Sequence, residues 1–390
     1  AQVAPDKALV FYERCFNDED PDVIAGAAKS LGKLAQVAPD KATPFYERCF
    51  NDENPYVRTQ TAESLGELAQ VAPDKSLDFY ERCFNDEDPD VRKGAARSLG
   101  ELAQVAPDKS LDFYEQCFND KYPSVRRGAA ESLGELAQVA PDKVLAFYEQ
   151  GFNDKNPSVR RGAAESLGKL AQVAPDNALA FYEKGFNDEN PYVRIFAAES
   201  LGQLAQVAPD KATPFYEQCF NDKDPDVRVK VAEFLGELAQ VASDKALAFY
   251  EQCFNDKDPN VRADAARSLG KLAQVAPDEA LAFYEKGFND ENSYVRIFAA
   301  ESLGKLVQVA PDKAIAFYEQ CFNDKDPDIR KGAIRSLGEI ASHFNYDVFK
   351  KIDAVLINDY QLKDDDLSYC YALLANLLEH KEDPAQFIKV

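Results

Sequence analysis

The stretch Asn85-Asp86-Glu87-Asp88-Pro89-Asp90-Val91-Arg92-Lys93-Gly94-Ala95-Ala96-Arg97-Ser98-Leu99-Gly100-Glu101-Leu102 decides the fold. Its first residues break a preceding helix. Asp88-Pro89 then restarts the chain, with Asp as N-cap and Pro at the first helical position. Val91, Ala95, Leu99 and Leu102 recur at helical spacing, which predicts a second helix running toward the next Pro. Upstream, Leu77, Phe79, Tyr80, Cys83 and Phe84 keep the same spacing from Pro73-Asp74, where Asp74 reads as the cap of a first helix. The unit is helix, turn, helix, turn, with no strand signal.

Outward from this unit, Ala-Gln-Val-Ala-Pro-Asp or a one-residue variant returns ten times at an interval of 34 residues, from Ala1 to Val307. Such self-similarity means stacked supersecondary units, none able to bury its apolar face alone, so 390 residues read as one elongated array. Seven of the eight cysteines, Cys15, Cys49, Cys83, Cys117, Cys219, Cys253 and Cys321, hold one register, and three repeats place Gly there. No close pair of the C-x-x-C kind occurs, so these thiols are expected to be small buried core residues, free in a reducing, cytoplasmic setting. Pro44 and Pro214 fall near the start of the first helix in repeats two and seven, where a missing N–H costs least. The chain begins at Ala1, without Met and in phase with the repeat, as a piece excised from something longer would.

Two all-helical repeat families compete for this pattern. The tetratricopeptide repeat shares the 34-residue period, but its early Trp is missing and its landmarks are displaced by about two residues. The quoted stretch more closely resembles the HEAT-like repeat, in the short form named after phycobilisome lyases. Its mark, Asp-x-x-Pro-x-Val-Arg-x-x-Ala-Ala-x-x-Leu-Gly-x-Leu, is nearly intact in most copies across residues 1–340. The resemblance implies an all-α, right-handed α-solenoid of ten helix–turn–helix repeats over 1–340, closed by divergent capping helices over 341–390. It also implies that Asp86 and Arg92, with their equivalents as far as Asp324 and Arg330, form a ladder along the stack. Ile24 replaces Arg in the first repeat, as suits a unit with no predecessor.

Comparison among copies separates framework from surface. In repeat six the variable second-helix positions are Tyr192, Ile195, Phe196, Glu199 and Gln203, and in repeat three Asp90, Lys93, Gly94, Arg97 and Glu101. At about 100° per residue they cluster opposite Val91, Ala95 and Leu99. By the resemblance, second helices line a concave wall, so this stripe is the expected partner surface. It reads Tyr56, then Lys93, Arg97, Arg127 and Arg161, then Tyr192, Ile195 and Phe196, then Val229, Lys230 and Arg267, and finally Tyr294, Ile297 and Phe298. Aromatic and Ile side chains at i, i+3 and i+4 typify interface anchors. The alternative is that repeats six and nine are recent duplicates whose Phe196 and Phe298 fill a gap over a neighbouring helix.

Charge narrows the partners. With 68 acidic against 45 basic residues the net charge is −23, which opposes phosphate attraction and weighs against nucleic acid or an anionic membrane. No apolar run is long enough to insert in a bilayer. Enzymatic groups are sparse. His343 and His380 are the only histidines, so a His general base is essentially missing. Asp222, Asp224, Asp226 and Glu233 match calcium-loop spacing, but Val227 stands where Gly is needed, so they read as turn residues. Gly32, Gly66 and Gly100 sit singly within helices and form no phosphate loop. The expected function is a non-catalytic protein- or peptide-binding scaffold with no cofactor and no metal. The alternatives are a bilin lyase or lyase subunit, which the family resemblance permits, and a passive spacer.

Overall fold

In the computed structural model of the protein, residues 5–340 are described, so the expected cap at 341–390, with Cys370, His343 and His380, lies outside the described residues. Every regular element among the described residues is an α-helix. They fall into two compact bodies, the first ending at Val207 and the second beginning at Ala208. The first holds repeats one to six and the second repeats seven to ten.

Repeat three shows how the sequence builds each unit. Its first helix is Pro73–Phe84 and its second Pro89–Val105, with Ala106 alone separating the latter from the next repeat's first helix, Pro107–Phe118. The turn is held by nested carboxylates. Asp86 accepts from the Asp88 N–H at 2.9 Å, and Asp88 caps the second helix by accepting from the Asp90 N–H at 2.8 Å. The first helix starts differently from the sequence expectation, because Ala72 is its N-cap and offers no side-chain acceptor. Asp74 lies inside the first turn, at the positive end of the helix, and pairs with Lys109 of the next repeat. Pro44 and Pro214 likewise lie well inside the helices Pro39–Phe50 and Pro209–Phe220, so the carbonyls of Asp40 and Asp210 lose the N–H that a helix would ordinarily return to them.

The core lies between first and second helices and repeats at every level. In the first body Phe79 packs between Tyr46 and Phe50 of the preceding repeat, with ring centroids 5.6 and 5.4 Å away. Phe113 does the same with Tyr80 and Phe84, at 5.7 and 5.4 Å. In the second body Phe249 and Phe283 repeat the arrangement on Tyr216–Phe220 and Tyr250–Phe254. The buried tyrosine hydroxyls find partners, as burial requires: Tyr80 donates to the Ser98 carbonyl at 2.6 Å and Tyr114 to that of Ser132 at 2.9 Å. The register cysteines from Cys49 to Cys321 are buried and free, Cys15 is half-buried, and burial raises the Cys49 thiol pKa to about 12.

The Asp and Arg ladder is present in both bodies and has a direction. Arg92 donates bidentately to Asp120 of the following repeat, through Nε at 2.6 Å and Nη2 at 3.4 Å, while Nη1 donates to its own repeat's Asp86 carbonyl at 2.7 Å. Arg58, Arg126 and Arg160 do likewise in the first body, and Arg228 and Arg262 in the second. Each arginine therefore reaches its successor. The reading of Ile24 as suited to a unit without a predecessor has the direction reversed: its consequence falls on Asp52, which accepts from the Asn54 N–H but from no guanidinium.

Candidate functional site

The second helices of the first body pack side by side because their contact rows are small. Gly94, Gly128 and Gly162 are buried there, and a Cβ at Gly128 or Gly162 would come within 3.2 Å of the Lys93 or Arg127 carbonyl. Gly94 therefore belongs to the packing seam and not to the free stripe expected from its variability. In repeat six the same register holds Phe196, which is half-buried beneath the guanidinium of Arg161, 5.2 Å from its ring centroid. This matches the gap-filling alternative for Phe196. Ile195 is also half-buried, whereas Tyr192 is 63 % exposed.

The basic members of the stripe are mostly paired. Lys93 lies 3.6 Å from Asp90, and Arg97 and Arg127 converge on Glu131 at 3.2 and 2.5 Å. Arg161 makes no ion pair among the described residues, and its Nε is buried without an acceptor. Nearby Glu165 has its pKa raised, first by burial and then by Glu131, against the opposing pull of Arg161 and Arg127. Tyr56, half-exposed in repeat two, begins the same stripe.

The second body carries its own version. Tyr294 is 63 % exposed on the helix Ser293–Val309, with Ile297 and Phe298 half-buried beside it. Arg267 stacks on Phe298 at 3.8 Å and is itself paired with Asp264 at 2.7 Å. Val229 is half-buried, and Lys230 pairs with Glu233 at 2.8 Å while approaching the Phe234 ring at 5.8 Å. Phe234 stands where the other repeats have Ser, and the second helix is interrupted there, between Pro225–Glu233 and Leu235–Val241.

A second lateral row went unrecognised in the sequence. Glu67, Glu101 and Glu135 lie over Gly32, Gly66 and Gly100, so a Cβ at Gly100 would meet the Glu135 Cγ at 2.9 Å. Glu101, bracketed by the other two, has its pKa raised by burial first and by both neighbouring carboxylates, whereas Glu135 pairs with Lys169. The signal available was three acids in succession at one register. The calcium-like spacing resolves into turn chemistry: Asp222 accepts from the Asp224 N–H at 2.8 Å, and Asp224 caps a helix by accepting from the Asp226 N–H at 3.0 Å. No described helix is long and apolar enough to cross a membrane.

Solved structures with this fold are numerous. Yeast importin-β (Kap95p) superposes with a TM-score of 0.64 at 14 % identity, covering 98 % of this chain and 59 % of its own. Importin-β in an ammonium sulfate condition gives 0.58 at 11 %, covering 96 % and 56 %. The karyopherin Kap121p bound to the SUMO protease Ulp1p gives 0.54 at 14 %, covering 96 % and 45 %. The chain thus spans about half the length of these proteins, and at such identity the likeness is one of fold. A comparison with curated proteins finds no match. The family profile described as HEAT repeats matches overlapping segments 8–100, 42–134, 77–166, 111–181, 179–270, 213–286 and 281–352. With the paired helices, the ring column and the Asp and Arg ladder in place, the chain belongs to the HEAT repeat family, as an all-α solenoid.

Proposed function

We propose that this protein is a non-catalytic scaffold that binds protein or peptide partners on the second-helix face of each body. The observation that carries the reading is the pair of tyrosines Tyr192 and Tyr294, each 63 % exposed on a helix whose opposite face is closed by framework residues. Beside each lies a half-buried Ile and a Phe already stacked under an arginine. A rigid tyrosine on such a support loses little entropy when covered, which is the physical profile of an interface anchor. Fold kinship adds general support, since one Kap121p structure is described as bound to the SUMO protease Ulp1p and another as bound to the nucleoporin Nup53p.

The structure also refines which side chains to change. Phe196 and Phe298 pack against neighbouring arginines, so replacing them would disturb the seam as well as any interface. Affinity capture with the intact protein beside Tyr192→Ser/Ile195→Thr/Tyr294→Ser/Ile297→Thr tests the proposal. The partners recovered by the intact protein should be lost from the variant while its helicity and melting temperature hold. Equal recovery by both proteins would reject the face as the binding surface.

A further inference from the structure

The inter-repeat interface has a knob side and a socket side, and the first repeat presents a knob side with nothing against it. In the first body, each Phe at the register of Phe45, Phe79 and Phe113 inserts against the Tyr and Phe of the repeat before it. Phe11 holds that register and is 61 % exposed, with Val10 exposed beside it. Val23 is 38 % exposed, although its equivalents Val57 and Val91 are fully buried.

The polar half of the interface is also present and unmatched. Arg82 donates to Glu47 at 2.7 Å and Asn51 at 2.9 Å of the repeat before it, whereas its equivalent Arg14 is exposed with no carboxylate partner among the described residues. Asp120 receives the guanidinium of Arg92, whereas its equivalent Asp18 accepts only the Asp20 N–H, at 3.0 Å. An end face of a solenoid ordinarily carries polar residues where the interior consensus has apolar ones. Here four interface positions, one ring, one aliphatic, one cation and one anion, keep their interior identities.

We propose that the face formed by the first helix and second helix of repeat one, Pro5–Phe16 and Pro21–Lys29, is a docking surface for the trailing face of a further HEAT-like repeat. The chemistry of that occupant follows from the interior interfaces. It offers a Tyr and Phe four residues apart on its first helix to hold Phe11, a Glu and Asn for Arg14, and a ladder Arg for Asp18. The trailing face of repeat ten in a second copy is a poor source, because Tyr318 and Phe322 are already covered, at 1 % and 3 % exposure. This inference is independent of the binding reading above.

The test fuses a copy of residues 69–102 directly before Ala1, which continues the 34-residue register, and follows a Phe11→Cys thiol by mass spectrometry during labelling. The expected result is labelling at least tenfold slower in the fused protein than in the unfused one. Asp18→Asn serves as a second reading that does not touch the ring socket: it should lower the melting temperature of the fused protein and leave the unfused one unchanged. Equal labelling rates with and without the added repeat, or an Asp18→Asn effect of equal size in both, would overturn the proposal. So would a dimer of the unfused protein in light scattering that Phe11→Asp abolishes, since a second copy would then occupy the face.

Discussion

Replacing Phe113 by Ala removes the ring that joins repeat four to repeat three, and the same replacement at Phe11 removes an identical residue with no repeat before it. Phe113 is 8 % exposed and sits 5.7 and 5.4 Å from two rings. An aromatic side chain buries roughly 150–250 Å², worth about 4–6 kcal/mol at ~25 cal/mol per Å². Ala retains part of that burial, and the neighbours relax only partly into the cavity, so the expected loss is about 3–5 kcal/mol. Phe11 is 61 % exposed, and Phe11→Ala should cost under about 0.5 kcal/mol. Repeat arrays unfold in segments, so urea titration should be read together with amide exchange over residues 69–136, where loss of protection at Phe113→Ala should concentrate. Similar losses at both positions, or a loss under about 1 kcal/mol at Phe113, would refute the claim that stability resides in the contact between repeats and not in the repeat itself.

Other expectations follow from the ladder and the lateral row. Arg92→Ala leaves the nearly buried Asp120 without its bidentate donor and should cost about 1.5–3 kcal/mol, with Arg92→Lys recovering little because an ammonium cannot reproduce the fork; thermal denaturation of both variants checks this. Glu101 has a folded-state pKa raised by burial and by Glu67 and Glu135, so the folded state holds its proton more tightly than the unfolded chain does. Its contribution is most favourable below the unfolded pKa and declines as pH rises through the interval between the two values. Glu101→Gln should therefore stabilise at neutral pH, by roughly 0.2–0.5 kcal/mol for each of two like-charge neighbours removed, and flatten the melting temperature between acid and neutral pH. Cys83, Cys117 and Cys253, whose thiol pKa values burial raises well above the ordinary range, should resist alkylation at pH 8 until the array is unfolded.

Much of the framework was legible because it repeats. The 34-residue interval located both helices, the Asp-Pro starts, the cysteine register and the residues of the ladder. What it could not give was the partner of each ladder residue, since Asp86 and Asp120 are equally available in sequence, and only packing shows that Arg92 reaches forward. The variable stripe was legible only in part. Variation marks both solvent-facing positions and seams where one repeat's side chain must fit another's: Gly94 and Glu101 varied for the second reason, Tyr192 and Tyr294 for the first. Phe196 and Phe298 belong to both, since their half-burial depends on Arg161 and Arg267 from the repeat before, at a separation no single-repeat pattern exposes.

The most direct measurement of the central claim is photo-crosslinking from defined positions. A photoreactive residue placed at Tyr192 or Tyr294 would probe the second-helix face, and one at the exposed Asp112 of a first helix would serve as the contrast. The account predicts that the partners retained by the intact protein crosslink from 192 and 294 and not from 112. Crosslinks to those partners from 112, with none from 192 or 294, would contradict it.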